Sequence, residues 1–260
     1  MKMKLNLLVA GMLLAATSSA FATVRYVNVN SANPTPPFLT WATAATNIQD
    51  AVDATGAGDD IVVTNGIYAT PGLAEIDTAT NIVTVDKPLT VQSVNGPDVT
   101  VIDGGGTNQC VYLANDAVMV GFTLTNGVNY GYGGGVYCES TNTVLSNCVL
   151  TGNSATYGYG GGAYGGTLNN CTLNGNSASG SYTMSFGGSG GGACNCTLNN
   201  CTVTGNVASM GSGIIREGGL RCLRRRGLQL HAQQLHADRQ LRVDRQNDLL
   251  WWWCCLFHAQ

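Results

Sequence analysis

Thr143-Val-Leu-Ser-Asn-Cys148-Val-Leu-Thr-Gly-Asn153-Ser-Ala155 is followed by Gly166-Thr-Leu-Asn-Asn-Cys171-Thr-Leu-Asn-Gly-Asn176-Ser-Ala178 and by Cys196-Thr-Leu-Asn-Asn-Cys201-Thr-Val-Thr-Gly-Asn206-Val-Ala208. Self-similarity of this kind marks a repeat architecture, in which each unit buries its apolar face only against its neighbours. The spacing is 23 residues from Cys148 to Cys171 and 30 from Cys171 to Cys201, the slack falling on an inserted loop at 179–189. A Gly-Gly-Gly-small segment precedes each copy, at 133–136, 160–163 and 190–193, and a looser copy, Val118-Met-Val-Gly-Phe122-Thr-Leu-Thr-Asn-Gly127, stands upstream.

Within a copy the apolar positions alternate, as on a strand, but change phase once. Leu168 is followed by Asn169-Asn170, after which Cys171 and Leu173 resume on the other face of a straight strand. A corner at the asparagines returns all three to one interior. Short strands bent at polar corners predict an all-β solenoid whose rungs pair with one another at about 4.8 Å. Stacking then superposes Asn153, Asn176 and Asn206 as an amide ladder, and Cys148, Cys171 and Cys201 as a column of small thiols inside the coil. Helical and leucine-rich repeats fit poorly, because Gly, Asn and β-branched residues abound and no window holds a 3.6-residue period.

Residues 41–213 resemble the right-handed parallel β-helix proteins of the pectate-lyase-like superfamily, particularly the polymorphic-outer-membrane-protein type with its Gly-Gly-x-Tyr and Asn-Cys-Thr-Leu-x-Gly-Asn-Ser repeats. The segment Asn47-Ile-Gln-Asp-Ala-Val-Asp-Ala54, followed by Gly58-Asp-Asp-Ile-Val-Val-Thr-Asn-Gly-Ile-Tyr68, resembles the short capping helix and first rung of such folds. The resemblance implies a right-handed, single-stranded parallel β-helix with an N-terminal capping helix, its cap and early rungs at 41–116 and its Gly/Asn/Cys repeats at 117–213. It implies no particular activity, since one scaffold hosts many functions.

The start of the chain reads as an export signal. Lys2 and Lys4 precede an apolar run from Leu5 to Ala16, and Ala20-Phe21-Ala22 has the small-x-small form of a cleavage site, so residues 1–22 are a signal peptide and the mature chain is expected from Thr23. The run is too short to span a bilayer, which takes about 20 residues. No later stretch reads as a span. The expected location is therefore secreted or at the cell surface or outer membrane, as a monomer.

Charge breaks sharply along the chain. Between Thr23 and Ile215 the only bases are Arg25 and Lys87 against eleven acids, whereas 216–260 holds eight arginines and four acids. Back-translating Gln229-Leu-His-Ala-Gln-Gln-Leu-His-Ala-Asp-Arg-Gln-Leu241 and reading from the second codon base permits Asn-Cys-Thr-Leu-Asn-Asn-Cys-Thr-Leu-Thr-Gly-Asn-Ser, which is the repeat. Trp251-Trp-Trp shifted by one base encodes three glycines, which restores the Gly-Gly-Gly segment at the right spacing. Residues 216–260 thus read as a frameshifted tail, the shift lying between about 209 and 219, and the natural protein is expected to be longer. An arginine-rich, nucleic-acid-binding domain would leave this coincidence unexplained, so no nucleic-acid partner is expected.

Chemistry is sparse in the part that reads in frame. His231, His236 and His258 all lie in the tail, which leaves no histidine for nucleophilic triads or the usual zinc sites before it. Between Ala117 and Gly213 the only charged residue is Glu139, so no base stands where a polyuronate lyase of this scaffold would need one. Asp59-Asp60 reads as turn residues before Ile61-Val-Val63 rather than a glycosidase pair, because consecutive strand residues face opposite ways. Gly158-Tyr-Gly160-Gly-Gly-Ala163 meets a dinucleotide fingerprint only as repeat punctuation. No catalytic residue, metal site or cofactor is expected. Seven cysteines precede the tail, an odd number, and the columnar thiols are expected free and buried.

Tyr130, Tyr132, Tyr157, Tyr159 and Tyr182 cluster where loops are expected to interrupt the rungs. Their amphipathic rings suit stacking on an extracellular glycan or a surface protein. The sequence therefore favours an exported surface protein in adhesion or matrix attachment. The rival reading is a fragment of a polysaccharide-active lyase or hydrolase whose site lies in the missing part.

Overall fold

The turn between Leu168 and Cys171 is made by one residue. Asn170 takes a left-handed backbone, φ 54°, and Asn147 and Asn200 do the same one rung to either side, at 53° each. Asparagine tolerates this region better than other side-chain-bearing residues. The reversal of phase brings Leu168, Cys171 and Leu173 into one interior, each at most 1% exposed.

A computed structural model describes residues 22–71, 75–76, 79–180, 188–210 and 213–215. Residues 1–21 and 216–260, on which the expected signal peptide and frameshifted tail fall, lie outside the described residues, as do Tyr182 and most of the 179–189 insertion. Four sheets run along the axis. The first joins Val24–Val27, Asp60–Val63, Thr90–Ser93, Val118–Val120, Val144–Ser146, Thr167–Asn169 and Thr197–Asn199. The second joins Gly66–Tyr68, Thr100–Asp103, Thr123–Thr125, Val149–Thr151, Thr172–Asn174 and Thr202–Thr204. The third stacks Val128–Tyr132, Ser154–Tyr159, Ser177–Ser179 and Val207–Met210, and the fourth stacks Ala79–Val85, Gln109–Leu113, Val136–Cys138, Ala163–Tyr164 and Ala193–Cys194.

Pairing is parallel throughout these stacks. Leu124, Leu150, Leu173 and Val203 stand in register along the second sheet, and Met119, Leu145, Leu168 and Leu198 along the first. The chain is a right-handed parallel β-helix, and its interior is a set of columns one side chain wide. Antiparallel pairing among the described residues occurs where Glu75–Ile76 meets Ala79–Val85 and where Gly213–Ile215 meets Val207–Met210.

The amino end is closed by the helix Ile48–Asp53. Asn47 caps it, its side chain accepting a 2.8 Å bond from the Asp50 N–H. Ile48, Ala51 and Val52 are buried, and Gln49 makes a two-way bond with the Thr84 backbone, donating to its carbonyl at 3.2 Å and accepting from its N–H at 2.7 Å. The Asp59–Asp60 pair is structural here. Asp59 accepts from the backbone N–H groups of Gly56 and Thr23, at 3.0 and 2.8 Å, and lies 3.7 Å from Arg25, while Asp60 opens a strand. Those backbone donors and the neighbouring guanidinium hold the Asp59 carboxyl below the usual carboxylate range. Among the described residues no helix is long and apolar enough to cross a membrane, which leaves crossing by strands unaddressed.

Candidate functional site

One column of buried polar side chains repeats from rung to rung. Asn153 accepts a 2.8 Å bond from the Gly127 N–H and donates through Nδ2 to the Leu124 carbonyl and to Asn176 Oδ1 at 3.0 and 2.9 Å. Asn176 repeats the pattern, donating to the Leu150 carbonyl and Asn206 Oδ1 at 2.8 and 2.9 Å, and Asn206 donates to the Leu173 carbonyl. Each Oδ1 also accepts the backbone N–H of the asparagine on the preceding rung, at 3.0 and 2.9 Å. The third glycine of each Gly-Gly-Gly segment supplies the space. A Cβ on Gly135, Gly162 or Gly192 would stand about 3 Å from the amide of Asn153, Asn176 or Asn206. The repeated glycines and the repeated asparagines are thus two sides of one contact.

The cysteines form a second column. Cys148 and Cys171 are buried and Cys201 is half-buried, all as free thiols. Thr172 N–H donates to the Cys148 carbonyl and Thr202 N–H to the Cys171 carbonyl, both at 2.9 Å, which keeps the three in register. The sulfurs turn to main-chain carbonyls, Cys171 to those of Leu145 and Asn169 and Cys201 to those of Leu168 and Asn199, and the nearness of the thiols to one another raises that of Cys171 and lowers that of Cys201. Elsewhere burial dominates, and the Cys110 thiol is pushed up to about 12.

The tyrosines stand in paired strands, not in loops between rungs. The third sheet continues past each Asn-Ser-Ala, so Tyr130 and Tyr132 belong to Val128–Tyr132, and Tyr157 and Tyr159 to Ser154–Tyr159. Between these strands the register slips, Tyr130 facing Thr156 but Tyr132 facing Tyr159. The extra residue is absorbed at Tyr157-Gly158. Tyr157 takes φ 59°, a costly value for a bulky side chain, and a Cβ on Gly158 would fall 1.5 Å from the Gly131 carbonyl oxygen. Its ring stands 59% exposed, 6.4 Å from that of Tyr130, itself 76% exposed.

Three further tyrosines complete the surface. Tyr112, Tyr137 and Tyr164 are in register on the fourth sheet, on the face opposite inward-pointing Val111, Leu113, Val136 and Cys138, where Tyr112 is buried and Tyr137 and Tyr164 are half-buried. Their rings stack at 5.6 Å in each step, 9° and 11° from parallel. Tyr132 joins this row to the third sheet, lying 4.6 Å from Tyr164 and stacking on Tyr159 at 5.8 Å. Glu139 closes one end, accepting from the Tyr112 hydroxyl and from the Asn115 N–H. Sequence reasoning missed Tyr112, Tyr137 and Tyr164, although the residue after each Gly-Gly-Gly-small segment reads Tyr137, Tyr164 and Cys194 when the copies are aligned.

The exposed rings of Tyr130, Tyr132 and Tyr157, at the margin of this row, can stack on apolar ring faces. Among the described residues no group of three His, Cys, Asp or Glu side chains is placed to hold a metal ion. No family model matches the chain, and no curated protein matches it. Among solved structures it is similar to a pectin methylesterase mutant in complex with a hexasaccharide, at 12% identity, TM-score 0.37, covering 58% of this chain and 55% of that one. A second pectin methylesterase complex with a hexasaccharide gives 12% identity, TM-score 0.37 and coverage of 67% and 65%. This chain spans less than two thirds of either, and a likeness this low does not bear on its chemistry.

Proposed function

We propose that this is an exported β-helix that attaches to an extracellular polysaccharide through the tyrosine surface of its third and fourth sheets. The observation that carries the reading is the contiguity of Tyr112, Tyr137, Tyr164, Tyr132 and Tyr159, flanked by the exposed pair Tyr130 and Tyr157. A rigid sheet presents these rings with little freedom left to lose on binding, which favours affinity. The outlier backbone at Tyr157 points the same way, since strained conformations outside glycine concentrate at binding and catalytic surfaces. The asparagine and cysteine columns serve the scaffold and not the ligand.

Affinity electrophoresis through gels containing polygalacturonate, xylan or cellulose derivatives tests this directly. The parent chain is expected to be retarded in at least one gel, and the double variant Tyr130→Ala, Tyr157→Ala to run as in an empty gel with an unchanged melting temperature. Equal retardation of parent and variant overturns the assignment of the surface. Appearance of unsaturated uronate, loss of methyl ester or shortening of the chains would replace binding by catalysis as the reading.

A further inference from the structure

Charge, more than shape, sorts what the exposed tyrosines can hold. Resting on the assignment of the tyrosine surface made above, we infer that its ligand is an uncharged polysaccharide and that polyuronates are turned away. The outward positions beside the exposed rings of Tyr130, Tyr132 and Tyr157 are neutral. Thr156 and Ser179 stand in register with Tyr130, and Val128, Ser154 and Ser177 form the neighbouring column, with Ser177 Oγ donating to Ser154 Oγ at 3.2 Å. These side chains lie on the same face of the sheet as the Tyr130 ring, where their hydroxyls suit the hydroxyls of a sugar. The insertion at 179–189 carries no charged residue either.

The cations that a polyuronate needs stand elsewhere. Arg25 and Lys87 are the only bases between Thr23 and Ile215, and both are engaged at the carboxyl end of the cap helix. Arg25 donates to the Ala54 carbonyl at 3.3 Å and lies 3.7 Å from Asp59, while Lys87 donates to the Val52 carbonyl at 3.1 Å and lies 3.1 Å from Asp86. From 88 to 215 there is no lysine, arginine or histidine. Among the described residues no group of three His, Cys, Asp or Glu side chains could hold a bridging cation. The one charged residue of 117–213 is itself a carboxylate, Glu139, bonded to Tyr112, whose ring stacks on Tyr137 beside Tyr132. A polyuronate brings a carboxylate on every sugar, which proteins meet with arginine forks or lysine ammonium groups. Without them its desolvation goes uncompensated, and Glu139 adds a repulsion that reaches about 10 Å at 0.1 M salt. A neutral chain meets neither obstacle, since ring stacking needs no counter-charge.

Matched polymers that share a backbone and differ in charge test this: hydroxyethylcellulose and carboxymethylcellulose, arabinoxylan and glucuronoxylan, methyl-esterified and saponified polygalacturonate. Binding of the full-length chain to each is measured by surface plasmon resonance beside the double variant Tyr130→Ala, Tyr157→Ala. The difference between the two is what the surface contributes, whatever the arginines of 216–260 add. On the backbone that the surface holds most tightly, the neutral member should bind roughly tenfold more tightly than the charged one. That contribution should stay constant from about 0.01 M to about 1 M salt, over which the screening length falls from about 30 Å to about 3 Å. Thr156→Arg, checked for folding by its melting temperature, should gain binding to the charged member, and the gain should fade with salt. Equal or tighter binding of the charged member, a contribution that falls with salt, or a folded Thr156→Arg that gains nothing on the charged polymer would each overturn the inference and leave the surface assignment standing. No difference between parent and double variant on any polymer would overturn both.

Discussion

The early rungs and the later repeats hold the same coil together by different means. At 41–116 the interior is filled by volume: Ile48, Ile61, Ile82, Ile102, Val63, Val91 and Leu113 are almost fully buried, and the helix cap adds Val52. At 117–213 the filling is leaner, with alanines at 155, 163, 178 and 193, cysteines at 148 and 171, and leucine columns on two sides. There an asparagine on each rung donates to a carbonyl of the preceding rung and to the side-chain oxygen of the asparagine on the next. The first region can vary its residues as long as the volume is kept. The second cannot, because a ladder of hydrogen bonds fails when one member is missing.

The largest effect should follow from Asn176→Ala. It removes the acceptor of the Asn153 amide and backbone N–H and the donor to the Leu150 carbonyl, leaving buried groups that each cost about 1–3 kcal/mol. A loss of roughly 4 kcal/mol in chemical denaturation is expected. If Asn176→Leu restored the parent's stability, filling would suffice in both regions and the contrast would break. Ile102→Ala, in the volume-filled region, should cost about 3 kcal/mol through the cavity it leaves, and Ile102→Leu less than half of that. The same isosteric tolerance is not expected anywhere on the asparagine column.

The smallest effect concerns the seam that ties the first strand to the early rungs. Because the folded state holds the Asp59 carboxyl below its unfolded value, its stabilisation is present above about pH 4 and is lost as pH falls through the lowered folded value. Thermal melts between pH 6 and pH 3 should therefore show a modest decline that Asp59→Asn flattens. A decline of equal size in that variant would assign the acid sensitivity elsewhere.

Much of this architecture was legible because the repeat writes it several times. Asn169-Asn170 announced a corner by the phase change around it, and Cys171 and Leu173 then had to face inward. The reason for three glycines before each copy was not legible, since it lies in a contact between Gly162 and Asn176 made across the coil. For the candidate surface, five tyrosines were named from local crowding and placed in loops, of which the four within the described residues stand in strands. The strands that carry them follow from pairing with neighbouring rungs, which local sequence does not encode, and the row formed by Tyr112, Tyr137 and Tyr164 exists only through register.

The backbone on either side of the insertion has a practical consequence. Gly180 and Gly188 both donate to the Ser209 carbonyl, at 2.8 and 3.2 Å, so the chain departs from the coil and rejoins it at a single point. The entropic cost of a longer excursion there rises only logarithmically, about 0.6 kcal/mol for each doubling. The locus is a natural socket for grafting: an epitope, an enzyme or a second binding module joined at 180 and 188 would ride on the solenoid without altering its pitch.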